Sequence, residues 1–236
     1  LHFDVLGIPM EQMAGLSTRE DAEALMTGVY RGFVTNEHSR AHLGDVLRQL
    51  ATGGPQLFHC TAGKDRTGWV AALLLHIAGV DDPTIHSDYL LTNVLTGESR
   101  ARTEALIAEH MGADRVAVME PTLVVDSSYL RASVDAVTEQ YGDRASYLRD
   151  GLGLDDDVVA ELDQLLDRFG GRRDAGFSAL RLLGHAKSHR HYWSGVVGVV
   201  GRQPTTAHGR AALFVTGTML TPPRGETARR VESEGR

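Results

Sequence analysis

The chain has 236 residues, 42% of them hydrophobic and 23% charged, with a formal charge of −7 and a single cysteine. That composition excludes collagen-like, coiled-coil and wholly disordered chains, and no apolar run approaches the ~18 residues needed to span a bilayer. One cysteine also excludes an intramolecular disulfide framework and a multi-cysteine zinc site. The averages conceal a split. Residues 1–170 carry 13 basic and 27 acidic side chains, whereas residues 171–236 carry 11 and 4. The chain opens at Leu1 with no charged leader, which we read as an N-terminal truncation. Localisation is therefore open, with the cytoplasm as the default and secretion as the alternative.

Leu1–Ile8 reads as a short buried strand bounded by Gly7 and Pro9. Ser17 to Asp21 has the hydroxyl cap and early acids of a helix start, and Leu25, Met26, Val29, Tyr30 and Phe33 follow at helical spacing. A second helix is predicted from Ser39 to Ala51, ended by Thr52-Gly53-Gly54-Pro55. Gln56–His59 reads as a strand, Cys60–Arg66 as a loop, and Thr67–Ala78 as a central helix that is apolar on nearly every side. Helices are predicted over Pro83–Leu95, Glu98–His110, Ser127–Tyr141, Asp143–Arg149 and Asp155–Phe169. Helix, strand, loop and helix around residue 60 predict an α/β fold with a central parallel sheet flanked by helices, a helical C-terminal part and the site at a strand end.

Residues 1–169 are expected to form one domain, and 170–236 a basic Gly/Arg-rich tail, disordered or of non-native sequence. Val196–Val200 and Ala211–Val215 are possible strands in it. The histidine-bearing stretch Lys187–Trp193 raises a metal or nucleic-acid patch as an alternative, but no nucleic-acid partner, metal or cofactor is expected overall.

The informative segment is His59-Cys60-Thr61-Ala62-Gly63-Lys64-Asp65-Arg66-Thr67-Gly68. A Cys and an Arg separated by five residues can wrap one tetrahedral oxyanion. The backbone N–H groups of residues 61–66 would point inward, and the following helix presents its positive end. Arg66 can clamp two phosphate oxygens, which a lysine cannot reproduce. The same field favours a thiolate at Cys60, a nucleophile facing phosphorus in line with the leaving oxygen. Gly63 permits a backbone path that a side chain would obstruct. A nucleotide-binding P-loop is excluded, because Phe58 stands where its first glycine belongs and Asp65 where its Ser or Thr belongs.

This loop resembles the signature of the cysteine-based protein tyrosine phosphatases. Its Gly-Lys-Asp-Arg-Thr core is similar to an atypical bacterial group typified by mycobacterial tyrosine phosphatase B and related to phosphoinositide phosphatases. Asp88-Tyr89-Leu90-Leu91-Thr92-Asn93 resembles the segment that follows the core helix in that group, and Tyr141-Gly142 with Tyr147-Leu148-Arg149-Asp150 resembles its C-terminal region. The resemblance covers about residues 1–169.

The resemblance implies a two-step hydrolysis of phosphotyrosine proteins, and of phosphoserine, phosphothreonine or phosphoinositides besides. Cys60 would be the nucleophile and Arg66 the phosphoryl-binding cation, with Thr61, Ala62, Gly63, Lys64 and Asp65 completing the phosphate cradle. Thr67 would hydrogen-bond the thiolate, and His59 would be a buried residue orienting the loop. Asp65 is the favoured general acid, with Asp4 as the alternative. Lys64 stands between a solvated cation and a contact for multiply anionic substrates. The resemblance also suggests a two-helix cover within Pro83–Val125. Two other readings stay open: a phosphate-binding module without turnover, and a rhodanese-type sulfurtransferase.

Overall fold

The computed structural model describes residues 10–53 and 56–168, together with four short strands between residues 187 and 220. The expected strand Leu1–Ile8, the acid Asp4, the possible strand Ala211–Val215 and most of the basic tail lie outside the described residues.

The helical elements follow their local signals. A single turn, α1 (Met10–Ala14), precedes α2 (Arg19–Thr35). α2 opens on a reciprocal cap in which Thr18 Oγ1 accepts from the Asp21 N–H and the Asp21 carboxylate accepts from the Thr18 N–H at 2.9 Å. Its buried stripe is Ala22, Met26, Tyr30, Phe33 and Val34. α3 (Glu37–Ala51) starts two residues earlier than the sequence suggested, because the Asn36 side chain accepts from the Ser39 N–H and so caps the helix. After β1 (Gln56–Phe58), α4 (Asp65–Ile77) is buried continuously from Thr67 to Leu75, as its apolar composition demanded. α5 (Asp82–Leu95), α6 (Gly97–Met111), α7 (Ala113–Leu123) and α8 (Ser127–Tyr141) follow.

α7 was not foreseen. Pro121 lies in its last turn and Gly112, at φ +95°, stands at its start, so the sequence there reads as broken. The predicted helix Asp143–Arg149 is instead a short α9 (Arg144–Ser146) running into a π turn over Tyr147–Gly151. There the Leu152 N–H donates to the Tyr147 carbonyl at 2.9 Å. α10 (Asp156–Arg168) closes the domain.

The expected central parallel sheet is not what organises the molecule. β1 is three residues long and pairs antiparallel with β4 (Gly198–Val200), with Gln56 opposite Val200 and Phe58 opposite Gly198. The other described strands, β2 (Lys187–Ser188), β3 (His191–Ser194) and β5 (Thr218–Leu220), form a second antiparallel group. No parallel pair occurs among the described residues. The physical reason lies in α4. Its apolar surface is covered by helices, with α5 and α10 packed on it, while α2 packs on α3, α7 and α8. One continuous core joins Met26, Phe33, Leu47, Leu73, Val137 and Leu162 from α2, α3, α4, α8 and α10. Helix-on-helix layers thus bury the stripes that a sheet was expected to bury. Among the described residues, no helix is long and apolar enough to cross a membrane.

Candidate active site

The loop from His59 to Lys64 carries the chain from β1 to the N-terminal end of α4. Gly63 is buried with φ +68°, a left-handed conformation that costs an L side chain energy, so glycine is the residue that allows this path. The cap position of α4 is Lys64, whose side chain cannot accept a hydrogen bond, and no side chain caps this helix. A helix start of this kind leaves its first amides and the positive end of its dipole for an anion.

Around that helix start, the Arg66 guanidinium donates to Thr61 Oγ1 at 3.0 Å, so the first turn of α4 is tied back to the loop. Cys60, the residue immediately before Thr61, is a half-buried free thiol. Thr61 is exposed, and Ala62 and Arg66 are half-buried, so this side of the loop faces outward.

The other side faces the core. Lys64 is only 7% exposed. Its ammonium donates to Asp65 Oδ1 at 2.8 Å and Oδ2 at 2.6 Å, with the Val124 carbonyl at 3.4 Å. It is therefore neither a solvated loop cation nor poised in the open: it is the ion-pair partner of the candidate acid. Asp65, the first residue of α4, also accepts from the Tyr30 hydroxyl at 3.0 Å, and Tyr30 accepts from the Tyr89 hydroxyl at 2.7 Å. Gly68 makes room for this. A Cβ there would stand 3.2 Å from the Tyr89 ring. Burial pushes the Tyr89 phenol well above the usual tyrosine range, and burial, then the neighbouring Asp65, do the same for Tyr30.

Two expected roles are not realised in this arrangement. The Thr67 hydroxyl is buried and has no hydrogen-bond partner among the described residues, so the bond expected between it and Cys60 is not formed. His59 is exposed rather than buried, yet it still ties the loop locally, with Nδ1 2.9 Å from the Cys60 carbonyl. The loop begins at the end of a short strand and not inside a sheet, which leaves its first residue on the surface.

Tyr30 and Asn93 were not foreseen as site residues. Tyr30 was legible only as one member of an apolar stripe, although a tyrosine hydroxyl in a core must find a partner. Asn93 holds the Val125 backbone at both ends, donating to its carbonyl at 2.7 Å and accepting from its N–H at 2.9 Å. This clamp fixes the chain at Val124, whose carbonyl touches Lys64. The region expected to supply a two-helix cover contains three helices, α5, α6 and α7. α7 is pinned to the start of α2 by Arg115 on the Leu16 carbonyl and by Arg19 with Glu120 at 2.6 Å. Among the described residues, no group of three or more His, Cys, Asp or Glu side chains could hold a metal ion.

A cysteine and an arginine bracketing the uncapped start of a buried helix define a phosphate-handling loop of the cysteine phosphatase class. Comparison with known proteins agrees: the model of the tyrosine phosphatase family matches residues 4–167, and the chain belongs to that family. It is 36% identical over 143 residues to the triple specificity protein phosphatase PtpB of Mycobacterium tuberculosis, an overlap covering 57% of this chain and 52% of the relative. A Cupriavidus necator protein, assigned by name to the tyrosine-protein phosphatases, is 39% identical over 146 residues, or 62% of this chain and 51% of its own length. A tyrosine-protein phosphatase of Nostoc commune is 31% identical over 140 residues, or 56% and 47%. The chain thus spans about half the length of the relatives it matches.

Proposed function

We propose that this chain hydrolyses phosphate monoesters through a phosphocysteine intermediate, with phosphotyrosine in proteins as the first substrate class. The observation that carries this reading is the loop at the uncapped α4 start, where Arg66 donates to Thr61, the residue next to Cys60. In the first step the Cys60 sulfur forms a bond to phosphorus, the bond to the leaving oxygen breaks, and Asp65 gives that oxygen its proton. In the second step water attacks the phosphocysteine, Asp65 takes the proton, and the S–P bond breaks to release phosphate and the thiolate. Arg66 and the amides of the loop meet the charge on the equatorial oxygens in both steps.

The Lys64–Asp65 pair supports a wider substrate range. A second cation beside the phosphate cradle suits phosphoinositides, whose head groups carry several negative charges, and the wide specificity in the name of the mycobacterial relative agrees with it. Phosphoserine and phosphothreonine need a protonated leaving oxygen more than phosphotyrosine does, so they depend most on Asp65.

The test is hydrolysis of an aryl phosphate and of phosphotyrosine, phosphothreonine and phosphoinositide substrates by the purified chain. Cys60→Ser is expected to abolish turnover while leaving the melting temperature unchanged. A Cys60→Ser protein with full activity would sink the mechanism, and a folded wild-type chain inert on every substrate would sink the function. A second reading, phosphate binding without turnover, is favoured by one observation: both oxygens of Asp65 are occupied by Lys64. Tight phosphopeptide binding with no phosphate release would select it. Nothing in the site favours sulfur transfer, and the family match embraces the whole loop.

A further inference from the structure

Three helices converge on one carboxylate oxygen. Asp65 is on α4, Tyr30 comes from α2 and Tyr89 from α5, and their hydroxyls form a chain that ends on Asp65 Oδ1. Tyr30 is held rigidly there. It is fully buried, and its ring centroid lies 5.1 Å from that of Phe33, 6.2 Å from Tyr89 and 5.7 Å from Tyr129. Its backbone carbonyl accepts from Ser133 Oγ at 2.7 Å. Two phenylalanines would fill the same space without the cost of burying two hydroxyls, so these hydroxyls are explained by what they bond. Burial keeps both phenols neutral across the working pH range, so Tyr30 stays a donor throughout. The Tyr89 hydroxyl bonds Tyr30 in turn, and such chains strengthen their terminal donor.

The two oxygens of Asp65 are consequently unequal. Among the described residues, Oδ1 accepts from both Tyr30 and Lys64, and Oδ2 accepts from Lys64 alone. We propose that Tyr30, backed by Tyr89, is the positioning residue of the general acid: it anchors Asp65 Oδ1 so that Oδ2 carries the transferable proton. This rests on the reading of Asp65 as the general acid given above. When a phosphoryl group enters, its charge draws the Lys64 ammonium off Asp65, and Oδ2 takes a proton from solvent. As the S–P bond forms and the P–O bond breaks, that proton passes to the leaving oxygen. The carboxylate left behind keeps the Tyr30 bond on Oδ1, and Oδ2 is free to accept the proton of the water that attacks the phosphocysteine.

The experiment measures kcat and kcat/KM over a series of aryl phosphates of graded leaving-group basicity, with a phosphothreonine peptide at the poor end. The proteins are the wild type, Asp65→Asn, Tyr30→Phe, Tyr89→Phe and the double variant Tyr30→Phe/Asp65→Asn, each with its melting temperature. Asp65→Asn should steepen the dependence on the leaving group. Tyr30→Phe should steepen it in the same direction, with a loss of about tenfold on the poorest leaving group and less than about twofold on the best. The double variant should be no steeper than Asp65→Asn alone. If Asp65→Asn steepens the dependence while Tyr30→Phe lowers every substrate by one factor, or leaves the slope unchanged, the positioning role is overturned and the general acid stands. A slope for Asp65→Asn no steeper than that of the wild type overturns the general acid itself, and the positioning role with it. Should Tyr30→Phe fail to fold, Tyr89→Phe carries the test: a loss of about two- to threefold confined to the poorest leaving groups is expected, and an unchanged slope overturns the proposal.

Discussion

The two sides of the loop at the α4 start are built by different means. The outer side, Cys60, Thr61, Ala62 and Arg66, faces outward and is held by contacts within the loop, such as that between Arg66 and Thr61. The inner side, Lys64 and Asp65, is held by α2, α5 and the segment between α7 and α8, through Tyr30, Tyr89 and Val124. The outer side has the groups that would meet phosphorus, and the inner side has the group that would meet the leaving oxygen. Substitutions on the outer side should therefore change activity and leave stability alone, whereas substitutions on the inner side should change both.

The largest effect is expected on the outer side. Arg66→Lys keeps the charge but loses the planar fork, and should lower kcat/KM on aryl phosphate by about 10²–10³ with no change in melting temperature. A matched fall in melting temperature would show that the outer side is structural as well. On the inner side, Lys64→Met leaves the Asp65 carboxylate partly buried with Tyr30 as its remaining described donor, and should destabilise by about 2 kcal/mol in chemical denaturation. The same variant should lose more activity on phosphoinositides than on aryl phosphate. Equal losses on both would remove Lys64 from substrate selection.

Asp88 tests burial from the opposite direction. It stands next to Tyr89 on α5 with no hydrogen bond or ion pair among the described residues, and desolvation raises its pKa from 3.8 to about 6. A carboxyl raised in the folded state costs nothing below about pH 4, where it is protonated in both states. The cost grows as pH rises towards 6 and is complete above it. Asp88→Asn should accordingly be more stable than the wild type by about 1–2 kcal/mol at pH 7 and equal to it near pH 3.5. A variant equally stable at both values would show that Asp88 is well solvated. The smallest effect is expected far from the loop. Arg31 pairs with Glu139 at 2.5 Å, but both side chains are exposed, so Arg31→Gln should leave melting temperature and activity within error. A measurable loss would mean that α2 and α8 depend on this pair to seat Tyr30.

Helices were legible wherever capping and an apolar stripe coincided, as in α2, α3, α4 and α8. They were not legible where the chain breaks a local rule for a tertiary reason. α7 carries Pro121 in its last turn at the cost of one intrahelical hydrogen bond, and the turn after α9 winds as a π helix with Tyr147 buried in the core. The parallel sheet was inferred from a strand, a loop and a helix in succession. A three-residue strand meets that pattern without making a sheet.

The sequence by itself determined the outer side of the site. Cys60 and Arg66 have five residues between them, Gly63 among these, with a helix to follow, and a pattern that short is readable along the chain. It also determined that α4 is central, because a helix apolar all round has nowhere else to be. Only the tertiary structure decided what Asp65 touches. Tyr30 lies 35 residues before it, and Tyr89 is a further helix away. No periodicity in the chain says which buried hydroxyl will meet which buried carboxylate. That pairing is set when α2, α4 and α5 pack, and by the small volume of Gly68, which lets the Tyr89 ring approach.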